Sequence, residues 1–174
     1  MKTKSAVAFL FVFVLGIAAG AFARKGFDNT IYRGKDKQEA GKSLLELARK
    51  QAGKGSWERI AVGRVYYLGG MKAEGQAIFD EVLSKKAEPS DWWRVGRVYR
   101  EAGEWSRARE AFEKSLEKNK EDDRGLAELG AYYLLEGDRE KAEELFDRAN
   151  ALNADELWNT SAIAGAYLGV KPQE

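Results

Sequence analysis

The sequence predicts an all-α fold, a solenoid of helical hairpins with about three full repeats and flanking helices. The first observation is a recurring pattern, in which Gly63, Gly96 and Gly130 are separated by 33 and then 34 positions. Aromatic residues recur in the same phase at Tyr66, Tyr99, Tyr133, Phe79, Phe112 and Phe146. The second observation is that the 174 residues include only two prolines, so long helices are permitted almost everywhere.

Within each repeat, small and aromatic residues are spaced as two packed helices require. The recurring glycine lets a second helix approach the first closely, and the second helix offers a small residue in return, at Gly75, Ala108 or Ala142. The tyrosine and phenylalanine rings then fill the space between helices and between units. Burying one such ring stabilises the fold by roughly 1.5–3 kcal/mol. Stacked units therefore form a continuous core that no single unit could build.

Residues with capping preferences predict where these helices begin and end. Glycines lie where each first helix must stop, and we predict that they are left-handed C-terminal caps: Gly70, Gly103 and Gly137. The predicted N-caps are Ser56, Ser90 and Asp138. An N-terminal helical segment is predicted over residues 36–55 and a closing helix over residues 157–169, and these would cover the two ends of the stack.

Residues 1–23 are predicted to be a signal peptide or a membrane anchor. Two lysines precede an apolar run over residues 6–23, and Ala21-Phe22-Ala23 supplies small residues for a cleavage site. An uncleaved anchor is the alternative, because eighteen helical residues span about 27 Å, just short of a ~30 Å hydrocarbon core. Either alternative places the rest of the chain outside the cytoplasm. We interpret residues 24–35 as a linker and residues 170–174 as a tail.

The repeat resembles the tetratricopeptide repeat family, whose units are pairs of antiparallel helices. The second repeat carries most of the family's marker residues: Trp92, Gly96, Tyr99, Ala108 and Phe112. The first repeat departs from the marker, with Arg59 in place of tryptophan and Gly75 in place of alanine. The resemblance implies a right-handed solenoid over residues 56–169, divided into units 56–88, 89–122 and 123–156 and the closing helix 157–169.

In this family the first helices of successive units line a concave groove. The resemblance implies that the groove positions are Trp57, Ile60, Arg64, Tyr67, Ser90, Trp93, Arg97, Arg100, Arg124, Ala127, Ala131, Leu134, Trp158 and Ser161. The candidate partner-binding residues among them are Trp57, Arg64, Tyr67, Trp93, Arg97, Arg100 and Trp158. Trp92 and Trp105, in contrast, are predicted to pack in the core.

Arginine and tryptophan are enriched at binding hot spots, and arginine can hold a carboxylate with two parallel hydrogen bonds. We therefore expect a protein or peptide partner that is acidic and partly apolar. The alternative is that the arginines only solvate this face and pair with acidic residues of the chain itself, such as Glu58 or Glu101.

The composition argues against several classes of function. Cysteine and histidine are absent, which removes disulfides, thiolate nucleophiles, most zinc sites and the usual neutral-pH proton shuttle. The formal net charge is +1, with basic and acidic residues balanced along the chain, so no nucleic-acid partner is expected. The sequence has no glycine-rich phosphate loop, metal-ligand cluster or nucleophile–base pair. We expect no enzymatic activity and no cofactor.

Two hypotheses on function follow. The first is an exported adaptor or scaffold, periplasmic or secreted, that binds a protein partner through its concave groove. The alternative is a structural subunit of a cell-envelope or secretion assembly that multimerises through its outer surfaces. Membrane contact is expected only through the N-terminal segment, if that segment stays uncleaved.

Overall fold

The structure is a computed structural model that describes residues 26, 28–84 and 86–172. The predicted signal peptide or anchor, residues 1–23, lies outside these residues. The described chain contains one short 3₁₀ helix, Asn29–Ile31, and no β-strand. Its α-helices are α1 (Lys37–Ala52), α2 (Ser56–Leu68), α3 (Lys72–Leu83), α4 (Pro89–Glu101), α5 (Trp105–Lys118), α6 (Asp123–Leu135), α7 (Arg139–Leu152) and α8 (Leu157–Tyr167). The predicted all-α fold is confirmed.

The described residues fall into two compact units, one that ends at Gly41 and one that begins at Lys42. In the first unit, the Asp28 carboxylate accepts a hydrogen bond from the Thr30 amide at 2.9 Å and starts the 3₁₀ helix. This helix lies inside the segment that the sequence predicts as a linker. The Asp36 carboxylate accepts hydrogen bonds from two amides in the first turn of α1, so an aspartate starts this helix as well.

The second unit contains three helical hairpins, α2–α3, α4–α5 and α6–α7, and α8 packs on α6 and α7. Small residues explain how closely the helices of a hairpin approach. A Cβ atom added at Gly63, Gly96 or Gly130 would lie only 2.6, 2.7 or 2.6 Å from a phenylalanine ring of the second helix. The small residues predicted on the second helices, such as Ala108 and Ala142, are fully buried. The predicted role of these positions is confirmed.

The first helix of each hairpin ends at a glycine in the left-handed region. Gly70, Gly103 and Gly137 have φ values of +89°, +76° and +93°. The residue after each glycine donates its amide hydrogen to a tyrosine carbonyl one turn back, at 2.9 Å in every case. This geometry satisfies carbonyl groups that the helix end would otherwise leave unpaired. The predicted C-terminal caps are confirmed.

The predicted N-caps are only partly correct. The Asp138 carboxylate accepts a hydrogen bond from the Lys141 amide at 3.1 Å, as predicted. Ser56 is instead the first residue of α2, and Ser90 is the second residue of α4. Helix α4 begins at Pro89, because proline has no amide hydrogen to lose and its fixed φ suits the first helical position.

Aromatic rings connect the units through one apolar core. The ring centroids of Trp93 and Phe112 are 4.6 Å apart, and those of Phe112 and Tyr132 are 5.4 Å apart. Trp92 and Trp105 are partly buried and pack against this core, with the Trp105 ring 5.2 Å from the Tyr133 ring. The packing role predicted for these two tryptophans is confirmed.

Candidate protein-interaction face

The first helices α2, α4, α6 and α8 present a continuous surface, which we call the first-helix face. Three depressions follow one another along it, of about 200, 550 and 590 Å³. Arg94 and Arg97 line both the first and the second, while Arg124 and Glu128 line both the second and the third. Shared side chains therefore make the three depressions one surface that an extended segment could follow.

A ladder of ion pairs crosses this face from each first helix to the next. Arg64 on α2 holds the Glu101 carboxylate with two hydrogen bonds, one of them 2.6 Å from Nε to Oε2. Arg97 on α4 holds Glu128 on α6 in the same way, at 2.9 and 2.7 Å. Arg124 on α6 bonds to Glu156, which precedes α8, at 3.0 Å. We call these three pairs the arginine ladder.

Arg64 therefore pairs with an acidic residue of the chain itself, Glu101, which was the alternative role predicted for these arginines. Arg100 also has a carboxylate partner, since its guanidinium lies 2.8 Å from the Glu136 carboxylate at the end of α6. Arg64, Arg97 and Arg100 thus already form ion pairs within the protein. A partner's carboxylate would have to displace one of these contacts.

Tyr67 is a core residue, which corrects its assignment to the groove. Its side chain is only 2% exposed because the hydroxyl lies within a cluster of polar groups between units. The hydroxyl donates to the Glu104 carboxylate at 2.6 Å and accepts from the Arg107 guanidinium at 2.5 Å. Burial raises the pKa of Tyr67, and the hydrogen bond to Glu104 raises it further.

Glu104 is held in its charged form in this cluster. Burial favours its neutral form, but hydrogen bonds from Lys72, Tyr67 and Arg107 outweigh that effect and lower its pKa. The cluster ties the first hairpin to the second and leaves the Tyr67 ring inaccessible to a partner.

Trp93 is also buried, contrary to its predicted role on the groove. Its ring packs on Phe112, and its indole Nε1 donates to the Glu128 carboxylate at 3.3 Å. The helix phase correctly turns Trp93 toward α6, but the α6 side chains cover it. Trp93 therefore helps to position Glu128 and offers only a small part of its surface to the second depression.

Trp57 remains accessible, and its partner is a residue that the sequence analysis missed. The guanidinium carbon of Arg94 lies 3.6 Å from the centroid of the Trp57 ring, in a stacked cation–π contact. The Trp57 side chain is 52% exposed. Arg94 lies three residues before Arg97 on α4, and this helical spacing is the signal that could have placed it on the same face.

Arg94 differs from the other arginines of this face. Among the described residues no carboxylate lies within 4 Å of it, and its buried Nε has no hydrogen-bond partner there. Ile60, Ala61 and Val98 line the same depression and supply apolar surface beside it. The arrangement offers a guanidinium donor, an open indole ring and an apolar floor within one depression.

Trp158 marks the opposite end of the first-helix face. Its side chain is exposed and lines the third depression together with Arg124, Ser161 and Pro172. Between the two ends, the ladder carboxylates and guanidiniums alternate. The accessible aromatic surface is therefore concentrated at the two ends of the face.

The described part of the chain shows neither a cluster of metal ligands nor a helix that could span a membrane. Its acidic side chains form no group of three or more that could hold a metal ion. Across the same residues, no helix combines the length and the apolar character that a membrane span requires.

Comparison with known proteins supports the repeat interpretation. Residues 99–163 match the family model described as tetratricopeptide repeat. The match begins at the end of α4 and extends through α5, α6 and α7 into α8. No curated protein shows significant sequence similarity to the chain.

Proposed function

Because residues 99–163 carry tetratricopeptide repeats, we propose that this chain is a scaffold that binds a segment of a partner protein across its first-helix face. Tetratricopeptide repeat proteins typically act as non-catalytic scaffolds for protein interactions. The match to this family supports a role in protein interaction. The side chains of the first-helix face support the proposed site and the chemistry of the partner.

The observation that carries the proposal is the stack of Arg94 on Trp57. A guanidinium without a carboxylate partner among the described residues can take one from a ligand, and the ring beneath it holds the guanidinium plane in place. Burial of the ring by a ligand would strengthen the electrostatic contact, because water would be excluded from it. An acidic residue of the partner would bind at Arg94.

The apolar part of the partner would bind beside this residue. Ile60, Ala61 and Val98 form the floor of the same depression, and Trp158 offers a second aromatic contact at the far end of the face. A segment with an acidic residue next to apolar ones fits this arrangement. The proposed contact residues are therefore Trp57, Arg94 and Trp158, with Arg64, Arg97 and Arg100 holding the units in register.

We also propose that the chain is exported. The support is the apolar run over residues 6–23, with preceding lysines and the small residues Ala21 and Ala23. N-terminal sequencing of the native protein tests this directly. A mature chain that begins at Arg24 would support export with cleavage, whereas an intact chain in the cytosolic fraction would contradict it.

Selection of peptides on the full chain tests the binding site. Phage-displayed peptides would be selected against the immobilised protein, and the affinities of the recovered peptides measured by fluorescence anisotropy. We expect recovered peptides to carry an acidic residue beside apolar ones. Trp57→Ala and Arg94→Ala should each weaken binding at least about tenfold, as expected for hot-spot residues.

A matched control is available on the outer helix α7. Arg148 is an exposed arginine whose nearest carboxylate, that of Glu144, is 3.9 Å away. Arg148→Ala should leave peptide affinity unchanged. Equal affinities for the Arg94→Ala variant and the wild-type protein, with the same helical circular dichroism, would refute the proposed site. Charge reversal of Arg64 and Arg97 is a poorer test, since it would place two acids opposite each other in the ladder.

A further inference from the structure

Helix α8 occupies the position of a first helix, but no second helix covers it among the described residues. The chain positions equivalent to Tyr133 and Gly130 of α6 are Tyr167 and Ala164, 34 residues later in each case. Tyr133 is 5% exposed, while Tyr167 is 49% exposed. Gly130 packs against Phe146 of α7, whereas Ala164 has no second helix opposite it among the described residues. The Tyr167 hydroxyl donates to Glu143 of α7 at 2.8 Å, but about half of the side chain stays exposed.

The open side of α8 is a single stripe of uncharged residues. Spacings of three and four residues place Leu157, Thr160, Ala164, Tyr167 and Leu168 on one side, and all five are exposed. Leu168 is the most exposed large apolar side chain in the part of the chain that the structure describes, at 81%. We call these five residues the open face of α8. It differs from the side of α8 that lines the third depression with Trp158 and Ser161.

The shape of this face suits a second helix packed in close contact. In the earlier units a small residue at the middle of the first helix allows the close approach, as Gly130 does against Phe146. Ala164 stands at that position and Gly165 follows it. Leu157 and Leu168 flank Ala164 about two turns and one turn away. The face therefore has the small central residue and the apolar flanks of a first helix, but no second helix packs on it among the described residues.

We propose that the open face of α8 binds α8 of a second copy of this chain, in an antiparallel pair around a twofold axis. Charge favours this occupant. Among the α-helices of the described residues, α8 alone has no aspartate, glutamate, lysine or arginine. A twofold contact brings identical residues close together, so a charged face would oppose its own charge, and this face does not.

The area available makes the dimer a weak one. Large apolar side chains at Leu157, Tyr167 and Leu168, with their smaller neighbours, would remove roughly 500 Å² per copy from water, against about 800 Å² per partner in a standard interface. The dimer should therefore form and dissociate with concentration in the micromolar range. The contact leaves the first-helix face free, so it does not depend on the proposed peptide site.

Disulfide crosslinking tests the proposal cleanly, because the chain contains no cysteine. In the full chain, Ala164→Cys would place two thiols near the twofold axis, within the Cβ separation of about 3.5–4.5 Å that a disulfide needs. We expect mild oxidation to convert most of the protein at micromolar concentration to a covalent dimer. Ala73→Cys, at an exposed alanine on α3, is the matched control and should crosslink at least about tenfold more slowly.

A second pair of variants distinguishes association through the open face of α8 from association through other surfaces. Leu157→Glu with Leu168→Glu, added to Ala164→Cys, should reduce crosslinking about tenfold or more, with unchanged helical circular dichroism. Val65→Glu, at an exposed apolar residue of α2, should leave it unchanged. Equal crosslinking at Ala164→Cys and Ala73→Cys, or a sedimenting monomer at about 100 μM, would overturn the proposal. Loss of peptide binding at Arg94 would not.

Discussion

Helices α6 and α8 occupy the same position in successive repeats but differ in what surrounds them. Leu126, Leu129 and Tyr133 of α6 are buried, whereas the equivalent Thr160 and Tyr167 of α8 are exposed and Ile163 is only partly buried. Both helices end at a glycine with positive φ, but Gly169 comes 32 residues after Gly137, and α8 is two residues shorter than α6. The difference comes from the surrounding helices, because α7 and α8 both pack on α6, whereas no further helix follows α8 among the described residues.

Truncating the equivalent tyrosines should give the largest difference between α6 and α8 in the free energy of unfolding. Tyr133→Ala empties a buried site against Trp105 and removes the hydroxyl that donates to Glu113, so we expect a loss of about 3–5 kcal/mol in the free energy of unfolding. Tyr167→Ala removes a half-exposed ring and should cost about 1 kcal/mol. Urea unfolding followed by circular dichroism measures both. Equal losses would show that α8 is covered in solution, for example by a second copy.

Enlarging the small residue in the middle of each first helix should give the next largest difference in stability. A side chain at Gly130 would meet the Phe146 ring at 2.6 Å and the Ala142 carbonyl oxygen at 3.0 Å, so Gly130→Val should cost about 3 kcal/mol. Ala164→Val adds its methyl groups to an open face and should change stability by less than about 0.5 kcal/mol. The melting temperatures of the two variants provide the comparison. Similar losses would mean that Ala164 is packed as closely as Gly130.

Alkaline pH should reduce the stabilising contribution of the buried Tyr133 more than that of the half-exposed Tyr167. Burial, followed by a hydrogen bond to Glu113, raises the pKa of Tyr133, whereas the pKa of Tyr167 is raised mainly by a hydrogen bond to Glu143. A raised pKa in the folded state means that its contribution is fully present below about pH 10, the unfolded value, and declines as the pH rises above it.

The urea midpoint of the wild-type protein should therefore fall between about pH 10 and 12. Tyr133→Phe should lessen this alkaline decline, because it removes the ionisable hydroxyl from the covered site. Tyr167→Phe should have a smaller effect on the alkaline decline. An alkaline decline that neither substitution alters would assign the effect to other groups, with Tyr67 as the next to examine.

The smallest expected difference concerns the rungs of the arginine ladder. Arg97 holds Glu128 between α4 and α6 with both groups partly buried, so Arg97→Ala should cost about 1 kcal/mol. Arg124 is mostly exposed in its pair with Glu156 before α8, and Arg124→Ala should cost less than about 0.5 kcal/mol. Unfolding at low and at high salt measures both costs. A larger loss at Arg124 would show that this rung holds α8 in place.

The repeat phase predicts packing well because packing within a hairpin is local. Gly130 and Phe146 are 16 positions apart and belong to the same unit, so their contact follows from helix spacing alone. The left-handed glycines follow from the same local rules. Ser90 shows the limit even here, because the preference of proline for the first helical position at Pro89 overrides a serine cap.

The first-helix face was harder to predict because it depends on how successive units fit together. Helix phase places Tyr67 and Trp93 on the correct side of their helices, but it does not tell how far the next unit extends over them. Arg64 and Glu101 are 37 positions apart, and only the stacking of units brings them together. Arg94 was missed because the family's groove positions do not include it, although it lies one helical turn from Arg97.

The arginine ladder has a consequence for the order of the units. If unit 56–88 were joined directly to unit 123–156, Leu135 would stand where Glu101 now meets Arg64, since the two positions differ by 34 residues. If unit 89–122 were duplicated, the copy's Arg94 would stand where Glu128 now meets Arg97, and two cations would oppose each other. The charges of the ladder thus match only when the units stand in their present order. Removing or duplicating a whole repeat would therefore cost this solenoid a rung or bring two cations together at the new junction.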